Sequence, residues 1–365
     1  MKLEGLRVID LSLFLPGPYL TLMLADHGAE VIKVEPPGEG DPTRHLGPRD
    51  GGETVYFRNL NRGKKSVVVD LKNPQDREAL LRLCDTADVF VESFRPGVVE
   101  RLGVGYEQVR ARNPRIVYCS ISAFGQRGPH RDRPAHDLAV EGLSGVLSIT
   151  LGQDGKPAIP GLPLADLLAS LHGLAGVLMA LLRREQSGKG DYLDIAMHDS
   201  MLAGTPNVLG PTLAENRQPE PRHERSTGGS AFYRLYETAD ARHLALGGQE
   251  PKFVRALLGA LGRLDLAPLC DKPGPHQKPV MDFLEKTFKG KTLQQNLAFL
   301  APLDVCYAPV NTLPEALDTA RDKLLTDERG RRHLAPPIRF RDEPARPSLR
   351  EPKLGEHDAL KKGPT

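Results

Sequence analysis

The stretch Leu6–Pro37, LRVIDLSLFLPGPYLTLMLADHGAEVIKVEPP, reads as strand, turn, helix and strand. LRVIDLS and AEVIKVEPP are short apolar runs, LPGP is a turn, and YLTLMLADHG is long enough for a helix. An apolar strand joined through a helix to another apolar strand is the unit of a parallel α/β sheet, whose ligand crevice lies beyond the carboxyl ends of its strands. LPGP falls at such an end. It is not a dinucleotide fingerprint, because there is no G-x-G-x-x-G and Pro16 and Pro18 lack the N–H groups that such a cradle presents. The turn argues against NAD.

The same alternation continues. SVVVDLK (Ser66–Lys72) leads into a helix from near Pro74 to Cys84 and then to ADVFVESFRPG, with PRIVYCSISAFG as a further strand and GDYLDIAMHDSML, from Gly190, as strand into helix. His198 and Asp199 fall inside that helix and read as structural. Arg95 follows a strand directly and Arg101 comes soon after, places where a basic side chain suits a phosphate or carboxylate as well as solvent. From about Gly210 to Gly229 the chain is polar and rich in Pro, Arg and Glu, which predicts a linker. AFYRLYETAD and RHLALGG then have hairpin spacing, QEPKFVRALLGALG is helical, and the amphipathic helical pattern runs to about Leu300. DVCYAPV reads as one more strand, and the Pro-rich segment from Ala335 predicts a return to the first domain.

A chain of 365 residues can bury a large core and predicts two domains. Its net charge of +2, from 49 basic and 47 acidic residues, provides no field that would favour nucleic acid or an anionic membrane as a partner. The charged start MKLEGLRVIDLS fits a first strand better than a signal peptide, and no apolar run reads as long enough to span a bilayer, so a cytoplasmic protein is expected. Cys84, Cys119, Cys270 and Cys306 are far apart, with no C-x-x-C pair or nearby histidine cluster. That spacing supports neither a metal site nor a disulfide framework and predicts buried thiols.

One further stretch carries the chemistry: Gly161–Leu182, GLPLADLLASLHGLAGVLMALL. Pro163 opens a helix well, since its missing N–H is one the first turn cannot pair, and this puts Asp166 in the first turn. Leu167, Leu171, Leu174, Leu178 and Leu181 recur at three and four residues and predict the buried stripe. Asp166 shares its own face with Ala169, Ser170 and Gly173, small side chains over which another surface can come close. An aspartate there also complements the helix dipole, so a functional reading has to rest on its companions.

Those companions are LRVIDLS with PGP, LADHGAEVIKVE, GDPTR, NRGKKSVVVDLK, ESFRPGVVERLG, LADLLASLHG, SGKGDYLDIAM, YETADARHLALGG, DVCYAPV and PKLGEH. In their order and spacing, over nearly the whole chain, they resemble the family III CoA-transferase superfamily, which includes formyl-CoA and carnitine CoA-transferases and the α-methylacyl-CoA racemases. The resemblance implies a Rossmann-like large domain from residues 1–210, completed by 326–365, and a smaller α+β domain from 215–325. It also implies an interlocked homodimer, with the active site between the large domain of one subunit and the small domain of the other. In the transferases the aspartate matching Asp166 attacks the acyl-CoA thioester. In the racemases it is one of two acid/base groups, opposite a histidine that is followed by aspartate and near a glutamate of the small domain.

AHDL supplies His136 and GGQEPKF supplies Glu250, both resembling the racemase pattern, while Arg95, Lys72 and Arg101 match CoA-binding positions. Racemisation beside a thioester needs one group to remove the α-proton, a second to return it on the other face, and donors for the enolate oxygen. His136 and Asp166 are the expected pair, Glu250 is expected to fix the imidazole tautomer, and the first N–H groups of the Asp166 helix are the expected enolate donors. Leu15 stands where formyl-CoA transferases carry glutamine, Ala139 and Val140 where the racemases have Asn-Tyr, and Pro36 and Pro37 where basic residues often follow the acidic one. GDPTR is closer to the transferases. The leading expectation is an α-methylacyl-CoA racemase-type epimerase needing no metal and no cofactor beyond the coenzyme A of its substrate; the alternative is a CoA-transferase with Asp166 as nucleophile.

Overall fold

The computed structural model describes residues 1–362. In chain order the first elements are β1 (Arg7–Asp10), α1 (Pro16–Asp26), β2 (Glu30–Glu35), α2 (Val55–Asn61), β3 (Lys65–Val68), α3 (Pro74–Cys84) and β4 (Val89–Glu92). There follow α4 (Val98–Arg101), α5 (Tyr106–Arg112), β5 (Val117–Ser122), α6 (Asp137–Leu143), α7 (Val146–Ile149), α8 (Leu164–Ser187), β6 (Asp191–Ala196) and α9 (Met197–Ala203). The rest are α10 (Gly210–Glu215), β7 (Arg234–Glu237), β8 (His243–Leu246), α11 (Pro251–Ala260), α12 (Lys278–Lys289), α13 (Leu293–Leu300), β9 (Tyr307–Pro309), α14 (Leu313–Thr319), β10 (Leu324–Thr326) and β11 (Arg332–Leu334).

The chain divides into two compact units, one formed by Met1–Ser144, Pro160–Gly204 and the chain from Asp322 onward, the other by Gly145–Ile159 and Thr205–Arg321. Gly145–Ile159, inside the range expected for the large domain, belongs to the second unit. The first unit is built on a six-stranded parallel sheet in the order β3-β2-β1-β4-β5-β6. Every residue of β4 and β5 is buried, as strands covered on both faces must be, which is why they read as largely apolar runs. The strand order reverses between β1 and β4, so the loops leaving those two strands diverge and open a crevice. In the second unit, β7, β8 and β9 form an antiparallel sheet whose Tyr236, Leu244 and Leu246 pack with Val254, Leu257 and Leu258 of α11 and Leu284 and Phe288 of α12.

Charge is buried under the carboxyl ends of β1 and β2. Asp10 is fully buried and accepts from Ser12, from Thr21 Oγ1 at 2.6 Å and from Lys64 Nζ at 3.1 Å. Burial alone would raise its pKa, yet the ammonium groups of Lys64 and Lys33 hold it down at about 2. Lys64 also donates to the Pro18 carbonyl at 2.9 Å, and Lys33 to the Ser12 carbonyl at 2.9 Å. The network therefore holds the chain at Ser12, ahead of the LPGP turn, and at Pro18, its last residue. Lys64→Met should lower stability by about 3–5 kcal/mol, because Asp10 is left buried without its nearest cation. Urea unfolding would measure this, and the loss should shrink as the pH falls far enough to protonate Asp10.

Four further sequence expectations change. In α8 the buried residues are Ala165, Ala169, Ser170, Gly173, Leu174, Val177, Leu181 and Arg184, whereas Leu171 and Leu178 are exposed. The small-residue face is the buried one because α1 lies against it. Ser170 Oγ donates to the Pro16 carbonyl at 2.7 Å, and a Cβ on Gly173 would stand 2.6 Å from Leu20 Cδ1. With 24 residues, α8 is also long and apolar enough by length and composition to cross a membrane, contrary to the sequence reading; here it packs on α1 and α9. The expected linker contains α10 and belongs to the second unit. Cys84 and Cys119 are buried as expected, but Cys270 is half-buried and Cys306 exposed.

Candidate active site

A cavity of about 810 Å³ opens at the switch point of the sheet. Leu13, Phe14 and Pro16 come to it from the turn after β1, Phe94 and Arg95 from the loop after β4, and Ala123 from the end of β5. His136 at the amino end of α6 and Asp166 in the first turn of α8 line the same cavity. Loops at the carboxyl ends of β1, β4 and β5 thus bring together two residues 30 positions apart in the chain.

Asp166 is half-buried, and among the described residues its carboxylate takes part in no hydrogen bond or ion pair. Burial, and then the nearby charge of Asp137, push its pKa up to about 7. His136 is exposed at the cavity wall, its ring edge-on to Phe14 with centroids 5.9 Å apart and planes at 79°. Phe14 has φ +61°, a left-handed backbone that bulky residues rarely adopt, in the turn that the buried charges pin.

The amino end of α8 differs from the sequence expectation. Leu164 N–H donates to Glu141 Oε1 at 2.9 Å, and the N–H groups of Ala165 and Asp166 donate to Asp137 Oδ1 at 2.9 and 3.1 Å. The next, Leu167 N–H, bonds to the Pro163 carbonyl. The first-turn donors expected to hold an enolate are therefore taken by carboxylates of α6. Sequence spacing could not show this, since the capping residues precede the helix by more than 20 positions.

The other expected residues scatter. Arg95 lines the cavity. Lys72 lines a second, largely apolar cleft of about 210 Å³ with Val34, Pro36, Pro37, Leu71 and Leu102, beyond the ends of β2 and β3. A Cβ on Gly97 would stand 3.1 Å from Arg101 Nη1 and 3.7 Å from Arg131 Nη2, so the two guanidinium groups flank that glycine. Glu250 lies in the second unit as the exposed N-cap of α11, with no side-chain bond to the helix. Sequence reasoning missed Arg131 and Arg133, which line the cavity from RGPHRDRPAHD. It also missed Tyr56 of α2, whose phenol is raised by burial and then by the charge of Asp166.

Residues 3–358 match the family model for CoA-transferase family III, and the chain belongs to that family. It is 40% identical over 265 residues to acetyl-CoA:oxalate CoA-transferase of Acetobacter aceti, covering 72% of this chain and 68% of that one. To the α-methylacyl-CoA racemase of Homo sapiens it is 34% identical over 371 residues, covering 98% and 91%. Among solved structures, a CAIB/BAIF family protein from Brucella suis superposes with a TM-score of 0.84 at 32% identity, over 99% of this chain and 98% of that one. The orthorhombic form of Rv3272 from M. tuberculosis gives 0.83 at 32%, over 98% of both. The family is one of enzymes, with both transferases and a racemase among the relatives.

Proposed function

We propose that the protein is an acyl-CoA epimerase of the α-methylacyl-CoA racemase type. The observation that carries this reading is the presence of His136 and Asp166 in one cavity, with Asp166 tuned to about 7. A general acid/base works best when its pKa lies near the operating pH. One of the pair takes the α-proton, leaving an enolate; the other delivers a proton to the opposite face, and the two forms of the pair exchange roles for the reverse reaction. Proton number is conserved. The enolate oxygen must be met by donors other than the capped amides of α8.

In this reading the thioester lies in the cavity, and Arg95, Arg101 and Arg131 offer charge to the phosphates of coenzyme A, with Lys72 beside the apolar cleft. No metal or further cofactor enters. The working form is an interlocked homodimer in which the second unit of one copy brings Glu250 to the cavity of the other. The exposed Leu171, Leu178, Met179 and Leu182 of α8 are the surface a second copy would cover. Light scattering on the purified protein would test the dimer.

The test of activity is exchange of the α-hydrogen of a 2-methylacyl-CoA in deuterated water. Incorporation of one deuterium without loss of CoA is expected, and passage of CoA to a free acid with no exchange would overturn the reading. That second outcome is the transferase, favoured by the identity to acetyl-CoA:oxalate CoA-transferase and by an Asp166 carboxylate that no partner restrains. Asp166 would then attack the thioester carbonyl, expel the CoA thiolate and form a mixed anhydride.

The pH profile separates the two. Ionised Asp166 with imidazolium and neutral Asp166 with imidazole carry the same number of protons, so kcat/KM for both epimers should follow one shared bell. A nucleophilic Asp166 needs only to be ionised, giving a single limb that rises through about pH 7.

A further inference from the structure

We propose that Glu141 is held un-ionised in the folded protein, donating its proton to Asp137, and that this carboxyl–carboxylate pair is the positioning device for Asp166. The proposal takes Asp166 as the acyl-CoA-reactive group, as above, and adds a residue to which neither reading assigns a part.

The geometry requires a proton somewhere in this cluster. Glu141 is fully buried; its Oε1 accepts from Leu164 N–H at 2.9 Å, while Oε2 is buried with no donor. Asp137 lies one helical turn earlier on α6, so the two carboxyl groups share a face. Asp137 Oδ1 accepts from the next two amides, Ala165 and Asp166, at 2.9 and 3.1 Å. Adjacent N–H groups of one helix end thus hold two carboxyl groups side by side, and a buried acceptor without a donor is costly. A proton on Glu141 turns the orphan oxygen into a donor to its neighbour. Glu141 is the group to carry it, because the two amide bonds to Asp137 favour the ionised form of Asp137.

No cation offsets the cluster. Asp137, Glu141 and Asp166 form no ion pair among the described residues. Among the described residues of α6 the one other titratable group is its N-cap His136, on the cavity side; α8 carries Asp166 in its first turn, its His172, Arg183, Arg184 and Glu185 lying further along with Arg184 paired to Asp88; and α9 presents His198 and Asp199, which face each other at 3.4 Å. Tyr56 of α2 feels the charge of Asp166. Burial, and then Asp137, also raise the pKa of Glu141, consistent with this assignment.

The device has a consequence for the chemistry. The positive end of α8 would ordinarily stabilise an ionised Asp166. Here its amides are committed to Asp137 and Glu141, so Asp166 sits at a helix start without that help and beside one retained negative charge. Burial first, and then that charge on Asp137, keep its proton affinity near neutrality.

Difference infrared spectroscopy tests the protonation independently of any activity. At about pH 8, above the value for Asp166, the wild-type protein should show the C=O stretch of a buried un-ionised carboxyl group. The band should persist in Asp166→Asn and be lost in Glu141→Gln; a spectrum without the band, or one that Glu141→Gln leaves unchanged, overturns the proposal even if no acyl-CoA is turned over. The midpoint of the Asp166 limb of the bell-shaped α-hydrogen exchange profile then tests the positioning role. Glu141→Gln, which mimics the neutral acid, should leave the midpoint in place, whereas Glu141→Leu should move it upward, since Asp137 loses its donor. A downward shift of about one unit in Glu141→Gln would mean that Glu141 had been ionised, and overturns the proposal.

Discussion

Asp166→Asn should lower turnover of acyl-CoA by about 10²–10⁴-fold while making the protein harder to unfold above neutral pH. The first half holds in either reading, because an amide neither exchanges the α-proton nor attacks a thioester. The second half follows from the raised pKa. In the folded protein Asp166 titrates at about 7, above its ordinary value, so between about pH 4 and 7 the folded state binds more protons than the unfolded one. Stability contributed by this group is therefore present at low pH and lost as the pH rises through about 7. Asparagine carries no such penalty. Thermal unfolding of the two proteins should coincide near pH 4 and diverge as the pH rises, with the variant the more stable at about pH 8. A variant that is inactive and also less stable there would place Asp166 among the groups that hold the fold together and remove it from the chemistry.

Much of this arrangement was legible because it is local. The alternation of short apolar runs with helical stretches in LRVIDLS to AEVIKVEPP is enough to predict β1, α1 and β2, and Pro163 fixes the start of α8 to within a residue. What failed depended on a neighbour. A helix with leucines on one face and small residues on another can bury either, and the close approach of α1 decides for Ala169, Ser170 and Gly173. The same holds for the donors at the amino end of α8: a helix read alone has free amides, and only the packing of α6 shows Asp137 and Glu141 occupying them. Arg131 and Arg133 were visible as a basic loop, but nothing in its spacing said that the loop folds over a cavity. Tyr56 gave no signal at all, since a tyrosine before phenylalanine in a short helix reads as core.

His136→Ala divides the two readings most sharply. If the imidazole is the second acid/base group, its loss should lower α-hydrogen exchange by about 10²–10⁴-fold, because Asp166 alone can remove a proton on one face but cannot serve the other. If Asp166 is a nucleophile, transfer of CoA to a carboxylic acid should survive the change within about tenfold, since forming and breaking the anhydride asks nothing of an imidazole. The fold should tolerate the substitution. His136 is an exposed N-cap that makes no side-chain bond to α6, and its ring contact is with Phe14, itself more than a third exposed. A purely structural role would leave the variant weak in both assays and indifferent to added base. A chemical one predicts that free imidazole restores part of the exchange, for the ring removed by the mutation lines a cavity of about 810 Å³ that a small base can enter. Recovery that grows with imidazole concentration, in deuterium incorporation and not in CoA transfer, would assign the second proton to position 136.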